Sequence, residues 1–257
     1  MDLTICYLYP TTMSTYGDRG NVVALAQRAR WRGINVTVTE VDLHHHLDPS
    51  GIDLFFFGGG QDKEQMAVSE DLQGGKGEDL VGAIENGAAL LSICGGYQLL
   101  GEYFRTSTGD DLPGLGVFKA RTTGGPQRMI GDIVIEAAGL KPDGRPVRLV
   151  GFENHSGQTF LEPGCRPLGK VVVGSGNNGI DRTEGARYRN AFGCYLHGPL
   201  LPKNPILTDY LLQAALHHRY GEEAVLLPLE SATEDRAREA VLQRIYKRGR
   251  VNSAIKH

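Results

Sequence analysis

Strand-length apolar runs alternate with helical patterns over the first hundred residues, and this alternation limits the possible folds more than any other feature. The strand-length runs are residues 3–9, 34–41, 53–57 and 88–93, and apolar side chains keep helical spacing at residues 21–32, 61–72 and 78–86. Helical crossovers join parallel strands, so the pattern predicts an α/β fold with a mostly parallel central sheet flanked by helices. The run at 53–57 (DLFFF) is typical of a central strand covered on both faces.

The second half of the chain has a different pattern. Helical spacing fades after residue 109 into short β-like runs at residues 115–119, 129–136, 148–152, 170–173 and 191–196. We expect these to be added strands, some of them antiparallel, that extend the same sheet. A helix returns at Pro205–Tyr220, and a charged helix follows at residues 232–247. The simplest division is one domain over residues 1–222, followed by a C-terminal helical extension and tail over residues 223–257.

The composition is that of a globular protein. The 257 residues are 40% hydrophobic and 22% charged, and no apolar run is long enough to cross a bilayer. The formal net charge of -3 gives no electrostatic footprint for nucleic acid. The four cysteines form no CxxC pair, so neither a disulfide framework nor a metal site is predicted. The chain starts without a signal-peptide pattern, and we expect a cytoplasmic protein with no nucleic-acid partner and no membrane insertion.

One cysteine, Cys94, lies where a strand-length run meets a helical pattern. The run AALLSI precedes it, Gly95 and Gly96 follow it, and a helical pattern covers residues 97–104. A strand-to-helix turn with small neighbours lifts its side chain above the sheet, as in the nucleophile elbow of hydrolases. The N-terminal end of the new helix is expected to favour the thiolate. We therefore predict that Cys94 is a nucleophile.

A nucleophilic thiol needs a proton acceptor, which is normally an imidazole. Of the eight histidines, His197 has the most suitable place, because it follows the strand-like run AFGCYL and precedes the rigid pair Gly198-Pro199. Its position predicts that it lies at the carboxyl end of a strand, where sites in parallel sheets are found. His155 lies in the segment FENHSGQTF. We expect it in a polar loop, with a supporting or substrate-lining role.

Acyl transfer through a thioester also needs N–H donors for the oxyanion of the tetrahedral intermediate. Two glycine positions can supply them: Gly95, directly after the nucleophile, and the run Gly58-Gly59-Gly60 at the end of the third strand. A plain strand-ending turn is the alternative interpretation of the second run. Neither glycine run is followed by Lys-Ser or Lys-Thr, so no phosphate-binding loop and no ATP site are predicted in this chain.

Three segments together resemble the class I glutamine amidotransferase domain: FFFGGGQD, SICGGYQLLG and YLHGPLLPKNP. The CGGYQ variant is most similar to the cobyric acid synthase-like (CobB/CobQ) branch, and the likeness extends to about residue 220. Within that branch, the length and the segments FENHSGQTF and SGNNG resemble the GatD family, the glutaminase subunits of lipid II isoglutaminyl synthase. The resemblance implies a flavodoxin-like three-layer fold, hydrolysis of L-glutamine and no cofactor bound by this chain.

The resemblance also implies a heterodimer. GatD subunits work with a Mur ligase-like partner, MurT, on which ATP and Mg are expected and which activates the α-carboxylate of D-glutamate in lipid II. The glutaminase subunit supplies the ammonia, so this chain would reach lipid II only through its partner. Two alternatives remain open. The acceptor could be a different carboxylate, such as a corrinoid, or the chain could be a non-catalytic binding subunit of the same fold.

The resemblance assigns catalytic roles to four positions of this sequence. Cys94 matches the nucleophile that attacks the side-chain amide of glutamine. His197 matches the histidine that activates the thiol and protonates the departing ammonia. Gly60 and Gly95 match the donors of the oxyanion hole.

Three further positions are implied to contact the substrate. Gln98 matches the glutamine of the CxGxQ pattern, and Arg128 aligns with the arginine that the GatD family uses for substrate glutamine. A planar guanidinium suits an α-carboxylate because it can bind both oxygens. A surface arginine between a loop and a strand is the alternative for Arg128. His155 is assigned to the substrate-binding group with them.

The sequence departs from the class I pattern at two positions. Ser92 replaces the glycine that usually begins the elbow, and its small side chain is expected to fit. Pro199 stands where many members have a glutamate two residues after the histidine. The orienting acid of a Cys-His-Glu triad is therefore absent from its usual place, so the site is either a dyad or is completed by the partner.

Overall fold

A six-stranded, mostly parallel sheet forms the frame of the fold. The computed structural model describes residues 1–14, 17–137, 139–140 and 146–254, with side chains up to residue 247. Numbered in chain order, the strands of this sheet are β1 (Asp2–Leu8), β2 (Asn35–Val41), β3 (Leu54–Phe57), β4 (Ala89–Ile93), β11 (Ala186–Tyr188) and β12 (Ala191–Cys194). Their order is β11-β12-β4-β3-β1-β2, and only the β11–β12 pair is antiparallel. The predicted α/β fold is confirmed.

Helices cover the first sheet, as the alternating pattern predicts. They are α1 (Arg19–Arg30), α2 (Asp62–Leu72), α3 (Gly75–Glu85), α4 (Gly95–Leu99) and α5 (Pro205–Tyr220). A short 3-10 helix covers Leu201–Lys203, and the last helix, α6 (Ala232–Ala254), lies elsewhere. Helix α5 has the predicted bounds, and its apolar face is buried. The central strand β3 is completely buried, as its sequence indicates. Among the described helices, none combines the length and the apolar character needed to span a bilayer.

The second half of the chain builds a separate sheet, which corrects the prediction that its strands extend the first one. This sheet contains β5 (Tyr103–Arg105), β6 (Asp111–Pro113), β7 (Ala120–Ala137), β8 (Val147–Leu161), β9 (Gly169–Val173) and β10 (Thr183–Glu184). The long strands β7 and β8 pair antiparallel along almost their whole length. Their backbone groups therefore bond to each other, and only β11 and β12 join the first sheet.

Three local predictions also differ from the structure. Helix α4 ends at Leu99 rather than near residue 104, because Gly101 closes a turn in which its N–H donates to the Gln98 carbonyl at 3.1 Å. Residues 115–119 form no strand; instead, the N–H groups of Leu115 and Phe118 donate to the last carbonyls of this short helix. The helix predicted at residues 78–86 begins earlier, since α3 starts at Gly75.

The C-terminal helix α6 packs beside the second sheet. Its residues Leu242 and Ile245 are buried in a small apolar cluster with Val134 of β7 and Val150 of β8. The helix starts at the predicted residue and continues to Ala254, beyond the predicted end at 247. The division into residues 1–222 and 223–257 stays a prediction, and the last three residues of the predicted tail lie outside the described part of the chain.

Candidate active site

Cys94 stands at a strained turn between β4 and α4. Its φ of 51° and ψ of -106° lie outside the regions that side-chain-bearing residues usually adopt. The turn is held by the N–H of Cys94, which donates to the carbonyl of Cys194 at the end of β12 at 2.8 Å. Ser92, at the position where the usual elbow begins with glycine, is fully buried, and its hydroxyl donates to the Phe192 carbonyl at 3.2 Å. The predicted elbow geometry is therefore present.

The two glycines after Cys94 are required by close backbone packing. A Cβ at residue 96 would lie 2.8 Å from the carbonyl oxygens of both Phe57 and Gly58. A Cβ at residue 95 would lie 3.0 Å from the backbone nitrogen of Gly60. The Gly96 N–H donates to the Gly58 carbonyl at 3.1 Å. The two glycine runs thus meet at one sheet edge, where Gly60 and Gly95 are in close contact.

A cavity of about 580 Å³ opens over this junction. Five of the predicted site residues line it, namely Gly60, Cys94, Gln98, Arg128 and His155. Side chains from α2, including Glu64 and Gln65, form part of the opposite wall. The cavity brings a nucleophile candidate, an oxyanion donor and polar side chains into one space, as a small amide substrate requires.

Gln98 is fixed by a buried chain of hydroxyl groups that the sequence did not reveal. Its Nε2 donates to the Tyr195 hydroxyl at 3.1 Å, and that hydroxyl lies 2.6 Å from Oγ1 of Thr159. Thr159 in turn lies 2.7 Å from Oγ1 of Thr122. These residues come from α4, from the residue that directly follows β12, and from β8 and β7, so no local sequence signal could have linked them. Tyr195 connects the two sheets at the floor of the site.

His155 lies in strand β8 rather than in a loop, which corrects the prediction. A segment rich in polar residues can be a strand when alternate side chains face a polar site, as here. The Nδ1 atom lies 2.7 Å from the Gly157 carbonyl, which can only accept, so Nδ1 carries the proton. Nε2 is then an acceptor; it is buried and has no hydrogen-bond partner among the described residues. Burial lowers the His155 pKa to about 4, so the ring is neutral at pH 7.

His197 lies at the carboxyl end of the strand next to Cys94, as predicted. Cys194 pairs with Ile93 in the parallel β12–β4 register, so both residues follow the ends of adjacent strands. The His197 N–H donates to the Phe152 carbonyl at 2.8 Å, which joins its segment to β8. Burial, and then the charges of His155 and Arg128, lower the His197 pKa to about 4.

A second cavity, of about 390 Å³, lies against His197. Its lining is rich in charged groups from three different parts of the chain, namely Asp132 of β7, Lys203 of the 3-10 helix and Arg244 of α6. Asn154 lines this cavity as well as the one over Cys94. His197 therefore lines this charged recess, and it is not among the residues that line the cavity over Cys94.

Arg128 is exposed at the rim of the substrate cavity, where a bulge in β7 carries it. Its Nε donates to Oδ1 of Asn154 at 2.6 Å. The β7–β8 register is interrupted between Gly124 and Met129, and Pro126, which has no N–H to donate, lies in this interruption. Its place on the cavity wall is consistent with carboxylate binding, and its role stays a prediction.

The predicted effect of the helix N-terminus on Cys94 is present, because the Gly95 N–H lowers the thiol pKa, but burial outweighs it. Burial raises the pKa of the Cys94 thiol to about 12; the charge of Asp18 raises it further, whereas the Gly95 N–H and Arg128 lower it. Helix α4 has only five residues, so its dipole offsets little of the burial effect. Like Tyr195, Asp18 is a residue that the sequence analysis did not single out. No group of three or more His, Cys, Asp or Glu residues suited to a metal ion occurs within the described ranges.

Comparison with known proteins agrees with this geometry. Residues 4–205 match the CobB/CobQ-like glutamine amidotransferase domain family. The chain is 43% identical over 225 residues to the GatD subunit of lipid II isoglutaminyl synthase from Streptococcus pneumoniae, covering 87% of this chain and 84% of that protein. It is 40% identical over 243 residues to GatD from Staphylococcus aureus, covering 95% and 96% of the two chains.

The fold also agrees with a solved structure. The PurLQS structure from Thermotoga maritima superimposes with a TM-score of 0.55 at 15% identity, covering 85% of this chain and 100% of that one. At this identity the likeness concerns the fold alone. The sequence relationships are more specific, because they cover 84% and 96% of the two GatD proteins at 43% and 40% identity. The chain therefore belongs to the CobB/CobQ-like glutamine amidotransferase family and, within it, to the GatD family.

Proposed function

We propose that this chain is the glutaminase subunit of a two-component lipid II isoglutaminyl synthase. It hydrolyses L-glutamine and delivers ammonia to a Mur ligase-like (MurT-like) partner, which amidates the α-carboxylate of D-glutamate in lipid II to D-isoglutamine. The observation that carries the proposal is the strained Cys94 turn, which shares one cavity with Gly60, Gln98 and Arg128 in a chain of the GatD family. ATP and Mg would be bound by the partner.

The proposed reaction proceeds through a thioester. The Cys94 sulfur attacks the side-chain amide carbon of glutamine, and its proton passes to His197. The N–H groups of Gly60 and Gly95 stabilise the negative oxygen of the tetrahedral intermediate. The carbon–nitrogen bond then breaks while His197 returns the proton to the leaving nitrogen, which departs as ammonia. A water molecule attacks the thioester and releases glutamate and the free thiol.

The resting protonation states explain why such a subunit would depend on its partner. With the thiol pKa raised to about 12 and the His197 pKa lowered to about 4, the proton stays on sulfur and transfer is unfavourable. A carboxylate placed near His197 would raise its pKa and favour the transfer. Pro199 occupies the usual position of that acid. We propose that the partner completes the site, so that glutamine is hydrolysed only in the assembled enzyme.

The test is to alkylate the nucleophile with a glutamine-like electrophile, and to measure glutamine hydrolysis without it, in the assembled and the isolated chain. The full chain, alone and co-purified with its Mur ligase-like subunit, is treated with diazo-oxonorleucine and analysed by mass spectrometry. We expect labelling at Cys94 and ammonia release in the complex, with at least tenfold weaker release from the isolated chain. Cys94→Ser and His197→Ala are the control variants. Glutamine hydrolysis retained by Cys94→Ser would overturn the nucleophile.

The same experiment separates the alternatives. An unlabelled Cys94 and no ammonia release in the complex would indicate a non-catalytic binding subunit. Full activity in the absence of any partner would contradict the dependence on assembly. Co-purification with a synthetase that amidates a corrinoid or another carboxylate would keep the glutaminase and change the acceptor.

A further inference from the structure

The first turn of α1 contacts the glycine loop that carries the proposed oxyanion donor. Asp18 precedes this helix and is fully buried. Its Oδ2 accepts the N–H of Gly59 at 2.7 Å, from a residue 41 positions away in the chain. Gly58, Gly59 and Gly60 form the loop at the end of β3. The carboxyl group of Asp18 therefore holds the central residue of this loop by a hydrogen bond.

The same turn also contacts the segment that follows His197. A Cβ at Gly20 would lie only 2.6 Å from the ring of Pro199, so the helix and this segment are in direct contact. Oδ1 of the buried Asn21 accepts the N–H of Leu201 at 2.9 Å. One helical turn thus connects the loop beside the nucleophile with the segment that carries the histidine.

Ordinary structural roles do not account for Asp18. Residues in its position usually cap the helix with their side chain, but Asp18 makes no side-chain cap bond. Its Oδ1 is buried with no hydrogen-bond partner among the described residues, which is unfavourable for a carboxylate. Its charge raises the pKa of the Cys94 thiol, so it does not assist thiolate formation. What remains is its bond to Gly59.

Met13 also confines this loop. A Cβ at Gly58 would lie 2.2 Å from the Met13 carbonyl oxygen, and a Cβ at Gly60 would lie 2.2 Å from its sulfur. Met13 thus limits the loop by steric contact, while the carboxyl group of Asp18, whose pKa burial raises to about 7, fixes the rotation of the Gly59 peptide by its hydrogen bond. Rotation of this peptide would move the neighbouring Gly60 N–H out of line with the oxyanion.

We propose that Asp18 is a positioning residue of the glutaminase: it orients the Gly59 peptide so that the Gly60 N–H lies beside Gly95 and faces the developing oxyanion. This inference rests on the proposed function. It assigns Asp18 no contact with the substrate. Because the oxyanion forms only in the transition state, loss of the alignment should lower kcat and leave KM for glutamine nearly unchanged.

The experiment compares Asp18→Asn and Asp18→Ala in the full chain co-purified with its synthetase subunit. We expect kcat for glutamine hydrolysis to fall about tenfold for Asn and about 100-fold for Ala, with KM within about twofold of the parent; direct loss of an oxyanion donor costs about 100- to 1,000-fold. A second readout is the rate of Cys94 alkylation by iodoacetamide. Above pH 7, where Asp18 is ionised because burial raises its pKa only to about 7, the rate should rise in Asp18→Asn, since removal of the charge lowers the thiol pKa.

Asp53→Asn is the matched control. Asp53 is also a buried aspartate that accepts a backbone N–H, that of Thr4, at 2.7 Å, but it does not line the cavity over Cys94. We expect it to lower the thermal unfolding midpoint without changing kcat or alkylation. Should Asp18→Ala fail to fold, Asp18→Asn alone decides.

Two results would overturn the inference, and they differ from failure of the proposed function. A folded Asp18→Asn variant with kcat within twofold of the parent would contradict the positioning role of Asp18. If kcat and the rate of Cys94 alkylation both fell in proportion to the folded fraction, Asp18 would only stabilise the fold. A parent complex that neither hydrolyses glutamine nor is labelled at Cys94 would instead overturn the proposed function.

Discussion

The aromatic ring of Tyr195 lies parallel to the imidazole of His155, with ring centroids 3.6 Å apart and planes inclined by 3°. The Tyr195 hydroxyl, at the other end of the side chain, accepts the Gln98 amide N–H. One tyrosine directly after β12 therefore orients two of the residues predicted to contact glutamine, through stacking of its ring on His155 and a hydrogen bond of its hydroxyl with Gln98. The substrate cavity depends on this link between its two sheets.

Tyr195→Phe should separate these two contributions. The ring remains to stack on His155, but the amide of Gln98 and the hydroxyl of Thr159 lose their shared partner, which costs about 1–3 kcal/mol in a buried site. We expect a lower free energy of unfolding in urea and a higher KM for glutamine. The control is Tyr188→Phe, whose hydroxyl donates to Glu85 on the surface. Equal effects of the two substitutions would contradict the role of Tyr195.

Gly96→Ala should damage the site through backbone contacts. The new methyl group would lie 2.8 Å from two carbonyl oxygens of the Gly58 loop and β3, neither of which can rotate away. We expect the free energy of unfolding to fall by about 1–3 kcal/mol and glutamine hydrolysis to be nearly lost. Gly82→Ala, within α3 and with no atom within 4 Å of its Cβ position, should instead stabilise the chain by up to about 1 kcal/mol. Thermal unfolding measures both.

The raised thiol pKa predicts the pH dependence of Cys94 alkylation in the isolated chain. Below a pKa of about 12 the thiolate fraction increases roughly tenfold for each pH unit. The rate of iodoacetamide modification at Cys94, followed by peptide mass spectrometry, should therefore keep rising from pH 7 to pH 10. A plateau below pH 9 would show that the thiol ionises more easily than its burial indicates. Cys94→Ser identifies the background from the other cysteines.

Arg128→Lys should weaken substrate binding more than catalysis. Lysine keeps the positive charge but cannot bind both oxygens of an α-carboxylate in one plane. We expect KM for glutamine to rise about tenfold, with kcat changed less than threefold, because the α-carboxylate does not change during the reaction. Arg121→Lys, an exposed arginine paired with Glu162 at 3.1 Å, is the control and should leave KM unchanged. An unchanged KM in Arg128→Lys would support the surface role.

Burial of neutral His155 predicts sensitivity to acid. Its pKa is about 4 in the folded chain and about 6.5 when unfolded, so between these values the unfolded state binds the proton more readily. Stability is therefore complete above pH 6.5 and is lost as the pH falls to about 4, by up to roughly 3 kcal/mol. His155→Gln should flatten the fall in unfolding free energy over this range. Substitution of the exposed His46 should leave that fall unchanged.

Local patterns were sufficient for the first sheet and for the chemistry of the elbow. The alternation of apolar runs determined β1 to β4 and their helices, because side-chain periodicity follows from burial of one face. The small residues around Cys94 indicated the strained turn, because a tight turn between a strand and a helix excludes larger side chains. His197 was recognised for a related reason, since it follows a strand and precedes a rigid turn.

The second sheet and the support of the site required tertiary information. Periodicity shows that a segment is a strand but not which strand it pairs with, so the β7–β8 pairing and the strand position of His155 were missed. Asp18 and Tyr195 act on residues 41 and 97 positions away, and no local pattern records such contacts.

The sequence by itself determined that Cys94 lies at a nucleophile elbow, because that depends on neighbouring residues. Only the tertiary structure decided that its thiol is protonated, because burial and the charge of Asp18 arise when distant segments pack together.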